Sequence, residues 1–189
     1  MISYDQFKNN ILPITLRHEG GYANVKGDNG GETYRGISTK NNPNWKGWEI
    51  LEKYKPLSRG DIINDNALKD LVAKCYYEKY FIGNHFEQIE SELVALQLFD
   101  FAVHGGFSWR RIQRILNEKH NQTLVTDSIF GKKTLAAINQ IAKKDISFSI
   151  LENRKQRLEN IIEENPSQAK FRKGWMRRID TMKFIVLRS

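Results

Sequence analysis

Glu19-Gly20-Gly21-Tyr22, followed by Asp28-Asn29-Gly30-Gly31-Glu32-Thr33 and then by Gly36-Ile37, decides how this chain is read. A carboxyl stands where an apolar-patterned N-terminal segment ends. A second carboxyl follows nine positions later and a hydroxyl five positions after that, on a glycine-rich connection. Glycine opens backbone conformations that other residues seldom adopt, so this connection can fold tightly beside the first carboxyl. Two acidic groups and a hydroxyl that can position water are the set that glycosidic hydrolysis requires. One group protonates the leaving oxygen, and the other assists water or stabilises an oxocarbenium-like transition state. A plain glycine-rich turn would not demand all these identities together.

Upstream, Ser3-x-x-Gln6 has the form of a capping box, and Phe7, Ile11, Ile14 and His18 fall on one helical face. Pro13 conflicts with a straight helix, because an interior proline costs about 3 kcal/mol and removes a backbone hydrogen bond. A kink or a restart is expected there, with residues 14–19 still helical and Gly20-Gly21 as the stop. On that reading Glu19 sits at the negative end of the helix dipole, which favours its protonated form and suits a general acid. Side chains adjacent in a helix point about 100° apart, so His18 packs away from Glu19. The pair does not begin an H-E-x-x-H metal site, since Gly-Gly-Tyr follows it.

Residues 22–63 are rich in glycine, asparagine and lysine and read as an irregular lobe, with a short strand near residues 33–38. Trp45 and Trp48 either anchor this lobe or offer stacking surfaces to sugar rings. From Asp65 the pattern is helical almost to the end. Leu68, Leu71, Val72, Cys75 and Tyr76 share one apolar face, where the cysteine serves as a small hydrophobe. Ser91 caps a nearly continuous apolar run through Val103, which reads as a helix buried on most sides and ended by Gly105-Gly106. Ser108 opens a helix with Ile112, Ile115 and Leu116 inward. Leu135, Ile138 and Ile141, then Ile150, Leu151, Leu158, Ile161 and Ile162, then Trp175, Ile179, Met182 and Val186 mark three more. The expected fold is mainly α: a helical body with a small irregular or weakly β lobe flanking a cleft.

Glu-Gly-Gly-Tyr with Asp-x-Gly-Gly-x-Thr-x-x-Gly-Ile resembles glycoside hydrolase family 108, bacterial and phage N-acetylmuramidases that cleave peptidoglycan, some of them labelled secretion activator proteins. The order Glu, Asp, Thr is also similar to that of phage-type lysozymes. Leu98-Phe99-Asp100-Phe101-Ala102-Val103-His104-Gly105-Gly106 resembles the buried central helix of those lysozymes, whose end faces the cleft. Asp127-x-x-x-Gly131-x-x-Thr134-Leu135-x-Ala137-Ile138 and the segment from Phe171 to Arg178 resemble the family's C-terminal predicted peptidoglycan domain. The resemblance implies a lysozyme-like fold, with a catalytic region at residues 1–95 and a helical peptidoglycan-binding-like region at 96–189 packed against it as one compact unit. It implies hydrolysis of the β-1,4 bond between N-acetylmuramic acid and N-acetylglucosamine, without a cofactor or a metal. Glu19 is then the general acid, Asp28 the second carboxylate, and Thr33 a hold on the attacking water. Tyr22 and Tyr34 border the cleft, and Asp100 lines it or caps a neighbouring backbone. His104 is a candidate substrate contact at a position where the family usually has asparagine. Read by themselves, Asp28 can equally bond to its own turn and Thr33 can serve a strand.

Thirty basic residues against 22 acidic ones give a formal charge of +8, which favours association with polyanions. Basic residues gather in Arg110-Arg111 with Arg114, in Lys132-Lys133, and from Lys170 to Arg178, and most of these clusters read as solvated helix faces. No motif has the spacing needed to read bases, so the expected partner is the peptidoglycan strand rather than nucleic acid. A single cysteine excludes an internal disulfide framework. The first residues lack the basic start and apolar run of a secretory signal, and no stretch is long enough to cross a membrane. The expectation is synthesis in a bacterial cytoplasm and action on the wall after release. A lytic transglycosylase, which uses one catalytic acid, and a non-catalytic wall-binding or secretion-assisting protein are the competing readings.

Overall fold

The structure is a computed structural model that describes residues 1–24 and 31–189. The chain divides into two units, one of Tyr4–Lys79 and one of Tyr80–Ser189 joined by Met1–Ser3. The 95/96 boundary expected from the sequence falls inside a helix of the second unit, Glu92–His104.

The first unit opens with α1 (Tyr4–Gln6), a π-helical turn over Phe7–Ile11, and α2 (Leu12–Leu16). Pro13 lies in the first turn of α2, where it has no N–H to give to the preceding turn. The wider π turn upstream absorbs that mismatch, so the expected restart is present. The helix ends at Leu16, however, and Glu19 lies beyond it in a turn closed by the Glu19 amide on the Leu16 carbonyl at 3.3 Å. Three two-residue strands follow, β1 (Tyr22–Ala23), β2 (Thr33–Tyr34) and β3 (Ile37–Ser38), in one antiparallel sheet of order β1-β2-β3. Arg35 and Gly36 join β2 to β3 with φ of 49° and 78°, the left-handed pair that a two-residue hairpin needs to match strand twist. Gly21 is fixed by close approach, since a methyl there would lie 2.3 Å from the Gly60 carbonyl oxygen. The neighbouring Tyr22 amide donates to Asp61 O at 2.8 Å, and Gly60 N donates to Tyr22 O at 2.8 Å.

α3 (Gly47–Glu52) is a helix that the polar composition of this lobe did not announce. Trp45 and Trp48 pack edge to face at 5.0 Å, and their ring N–H groups donate to Leu71 O at 3.3 Å and Asn42 O at 2.8 Å. Both rings therefore fasten the lobe. Asp65 caps α4 (Asn66–Tyr76) through Leu68 N at 2.8 Å, and Leu68, Val72, Ala73 and Tyr76 form its buried face.

In the second unit Ser91 caps α5 (Glu92–His104), which is buried without interruption from Val94 to Phe101. Ser108 caps α6 (Trp109–His120), and α7 (Lys132–Gln140), α8 (Lys143–Glu164) and α9 (Arg172–Arg188) complete the unit. α8 packs against α5, α6 and α9. The Asp127–Thr134 motif has a structural cause here. Buried Gln113 donates Nε2 to Asp127 Oδ1 and Ile129 O, each at 3.0 Å, and its Oε1 accepts from Ser128 N at 3.1 Å. Among the described residues no helix is long and apolar enough to cross a membrane.

Candidate active site

Glu19 is half-buried, on a turn that three other segments hold in place. The Arg35 amide donates to Gly21 O at 3.2 Å. Its guanidinium donates Nη1 to Leu16 O at 3.3 Å and to Gly20 O at 3.2 Å, tying both sides of Glu19 to the β2–β3 hairpin. The Tyr76 hydroxyl donates to Arg35 O at 2.7 Å, which fixes the hairpin to α4. Gly36 then meets the carboxyl itself: a methyl added to it would lie 2.8 Å from Glu19 Oε2 and 2.5 Å from the Tyr76 hydroxyl. The Glu19 carboxyl thus rests against the hairpin turn, beside a phenol. The helix dipole expected to act on it does not reach it in that form, because α2 ends at Leu16 and a cationic side chain occupies the terminal carbonyl.

Thr33 is half-buried on β2, and its hydroxyl donates to Gly31 O at 3.3 Å. Asp28 lies outside the described residues. Tyr22 and Tyr34, expected at the edge of a cleft, are direct register partners on β1 and β2, and both are buried. The Tyr34 hydroxyl accepts from Ile63 N at 3.1 Å. The Tyr22 hydroxyl is pushed up in pKa by burial and by hydrogen bonding to Glu32, which Lys55 pairs at 3.2 Å. Both tyrosines therefore anchor the small sheet.

Asp100 and His104 belong to the second unit. Asp100 is fully buried and receives Arg154 Nη2 at 2.7 Å and Arg178 Nη2 at 2.8 Å, with Arg178 Nε at 3.1 Å from both oxygens. Burial alone would raise the carboxyl's pKa, but the two guanidiniums outweigh it and hold it at about 2. Asp100 is held in the interior of its unit by these two arginines. It joins α8 and α9 to α5. His104 turns Nδ1 toward Arg154 Nη2 at 3.5 Å, and burial followed by the charges of Arg178 and Arg154 lowers its pKa to about 4. The imidazole is thus neutral at physiological pH and faces the ion pair. Arg178 was hidden in the sequence in a basic cluster, and Arg154 lay outside every cluster. Their signal was their register, since Arg154 shares the row of Ile150 and Leu158, and Arg178 that of Met182 and Val186.

The model of a family described as glycosyl hydrolase 108 matches residues 12–106, and that of a family described as "Predicted Peptidoglycan domain" matches residues 108–180. Among solved structures, that of Brucella abortus SagA aligns with a TM-score of 0.62 over 97% of this chain and 95% of that one, at 23% identity. The fold is accordingly mainly α and lysozyme-like, with a small antiparallel sheet. No curated protein matches the chain.

Proposed function

Because the chain belongs to the glycosyl hydrolase 108 family, we propose that it is an endolysin-like N-acetylmuramidase that hydrolyses the β-1,4 bond between N-acetylmuramic acid and N-acetylglucosamine. Glu19 donates a proton to the glycosidic oxygen as the bond to the muramyl anomeric carbon breaks. Asp28 takes a proton from the attacking water, and the Thr33 hydroxyl holds that water, which gives inversion at the anomeric centre. The reading is carried by one observation: the Glu19 carboxyl is pressed on the Gly36 turn beside the Tyr76 hydroxyl, a position in which a strap of backbone and arginine contacts restrains it. A general acid must be within hydrogen-bond reach of its proton acceptor, and a restrained carboxyl meets that need better than a mobile one. Residues 108–180, which match the peptidoglycan model, hold the glycan strand for cleavage.

The test is the chemistry of the products. Purified peptidoglycan digested in water enriched in oxygen-18 should yield fragments with reducing muramyl ends that carry the label. Anhydro-muramyl ends without label would identify a transglycosylase, in which the muramyl hydroxyl replaces water. An undigested wall would leave a binding protein.

A further inference from the structure

α5 ends in Gly105-Gly106, with φ of +91° and +100°, and three arginines gather there. Arg157, from α8, lies directly against Gly106, where a methyl would meet its Cζ and Nε at 2.3 Å. Arg111, from α6, donates Nε to Gly106 O at 3.1 Å. Arg114 lies three residues further along α6 and is exposed. Burial and then the charges of Arg157 and Arg114 push the Arg111 guanidinium down in pKa, so the three cations bear on one another. Among the described residues, none of the three has a carboxylate within ion-pair distance.

The neighbouring interior adds to this excess. Arg154, three residues before Arg157 on α8, is 1% exposed, and its Nε and Nη1 have no hydrogen-bond partner among the described residues. Arg154 and Arg178 both bond the carboxylate of Asp100. An arginine packed on a bare glycine, beside others with no acid, resembles a prepared receptor more than a solvated face. Planar guanidiniums match carboxylates through paired N–H donors, and the missing side chain of Gly106 is what lets Arg157 lie against the turn.

We propose that Arg111, Arg114 and Arg157 around Gly105-Gly106 form an anion subsite that takes a carboxylate from the peptide stems of peptidoglycan. The inference rests on the wall-polymer reading above, and all three arginines fall within the residues matched by the peptidoglycan model.

The experiment is co-sedimentation on ice with purified sacculi stripped of phosphate polymers, with carboxylates either intact or amidated with carbodiimide. The wild-type chain is compared with Arg111→Gln/Arg157→Gln and with Lys132→Gln/Lys133→Gln, which removes the same charge from α7. The arginine variant should lose affinity about tenfold on intact sacculi, as expected for the loss of a charge-assisted pair. The lysine variant should change little, and amidation should weaken wild type to the level of the arginine variant. Near-ultraviolet circular dichroism of each variant checks the fold, and Arg111→Lys/Arg157→Lys, with charge kept but the planar forks lost, should bind between the two. Equal losses in the arginine and lysine variants would overturn the proposal in favour of bulk charge. So would wild-type binding indifferent to amidation, or binding restored only where phosphate polymers are retained. Sedimentation reads binding whether or not the wall is cut, so an absence of hydrolysis would count against the muramidase reading and leave this result standing.

Discussion

An alanine at position 36 would press its methyl on the Tyr76 hydroxyl and the Glu19 carboxyl, and would have to adopt a φ of +78°. The backbone strain alone costs about 1–2 kcal/mol. Gly36→Ala should therefore lower stability by at least that much in urea unfolding and should reduce lytic rate by more than the loss of folded protein explains, since the carboxyl must move. Unchanged rate and stability would mean that the hairpin does not hold Glu19. The glycine was legible in the sequence as part of a motif, but the atoms that need its empty space were not, because spacing along a chain does not reveal which side chains meet across it. His104 carries a second prediction at this scale. Its pKa of about 4 lies below the ordinary 6.5, so between those values the unfolded chain binds a proton that the folded chain refuses. Stability should be full above about pH 6.5 and decline as pH falls toward 4. Asp100, held at about 2 against an ordinary 3.8, adds a loss only in the lower window between those values. His104→Asn should flatten the first decline and spare the second, as measured by urea unfolding across pH. Equal slopes for the two proteins between pH 6.5 and 4 would contradict this account.

At the scale of elements, α8 and α9 are joined to α5 by one buried carboxylate and two arginines as well as by apolar rows. Asp100→Asn would remove the carboxylate that both Arg154 and Arg178 bond, and breaking a buried pair in this way costs about 3–5 kcal/mol. Thermal unfolding of the variant checks this, and a loss below about 1 kcal/mol would assign the cohesion of these helices to apolar packing. The helices themselves were plain in the sequence, because periodicity and caps report directly on burial: Ser91 and Ser108 both cap as expected. The buried arginines were not, since a charge on an apolar row reads as solvated until its partner is known. The burial of Tyr22 and Tyr34 was obscured for the opposite reason. Their place beside a site motif drew them toward function, while strand pairing put both rings in the interior. α3 was missed because its glycine, lysine and tryptophan start carries no helical signature.

For the whole molecule, a charge of +8 facing an anionic wall polymer predicts binding that weakens steadily with salt. The Debye length falls from about 10 Å at 0.1 M to about 3 Å at 1 M, which screens all but the closest contacts. Sedimentation with peptidoglycan across that range checks it, and a flat binding constant would refute the electrostatic part of the account. Mainly α architecture and family membership were both readable from the chain, the first from pattern and the second from the Glu19–Ile37 motif and its C-terminal companions. The division at Lys79/Tyr80 was not readable, because helical pattern runs across it without a linker or a change of composition.

The claim on which all this turns is that Glu19 supplies the proton. Glu19→Gln keeps the shape of the side chain and removes its acid, and general acid catalysis contributes about 10²–10⁴-fold. Clearing of a peptidoglycan suspension, followed by turbidity with wild type and variant at equal bound protein, tests it directly. The account predicts that the variant binds and folds as wild type does and clears the suspension at least about a hundredfold more slowly. A variant that clears as fast as wild type would remove Glu19 from the chemistry.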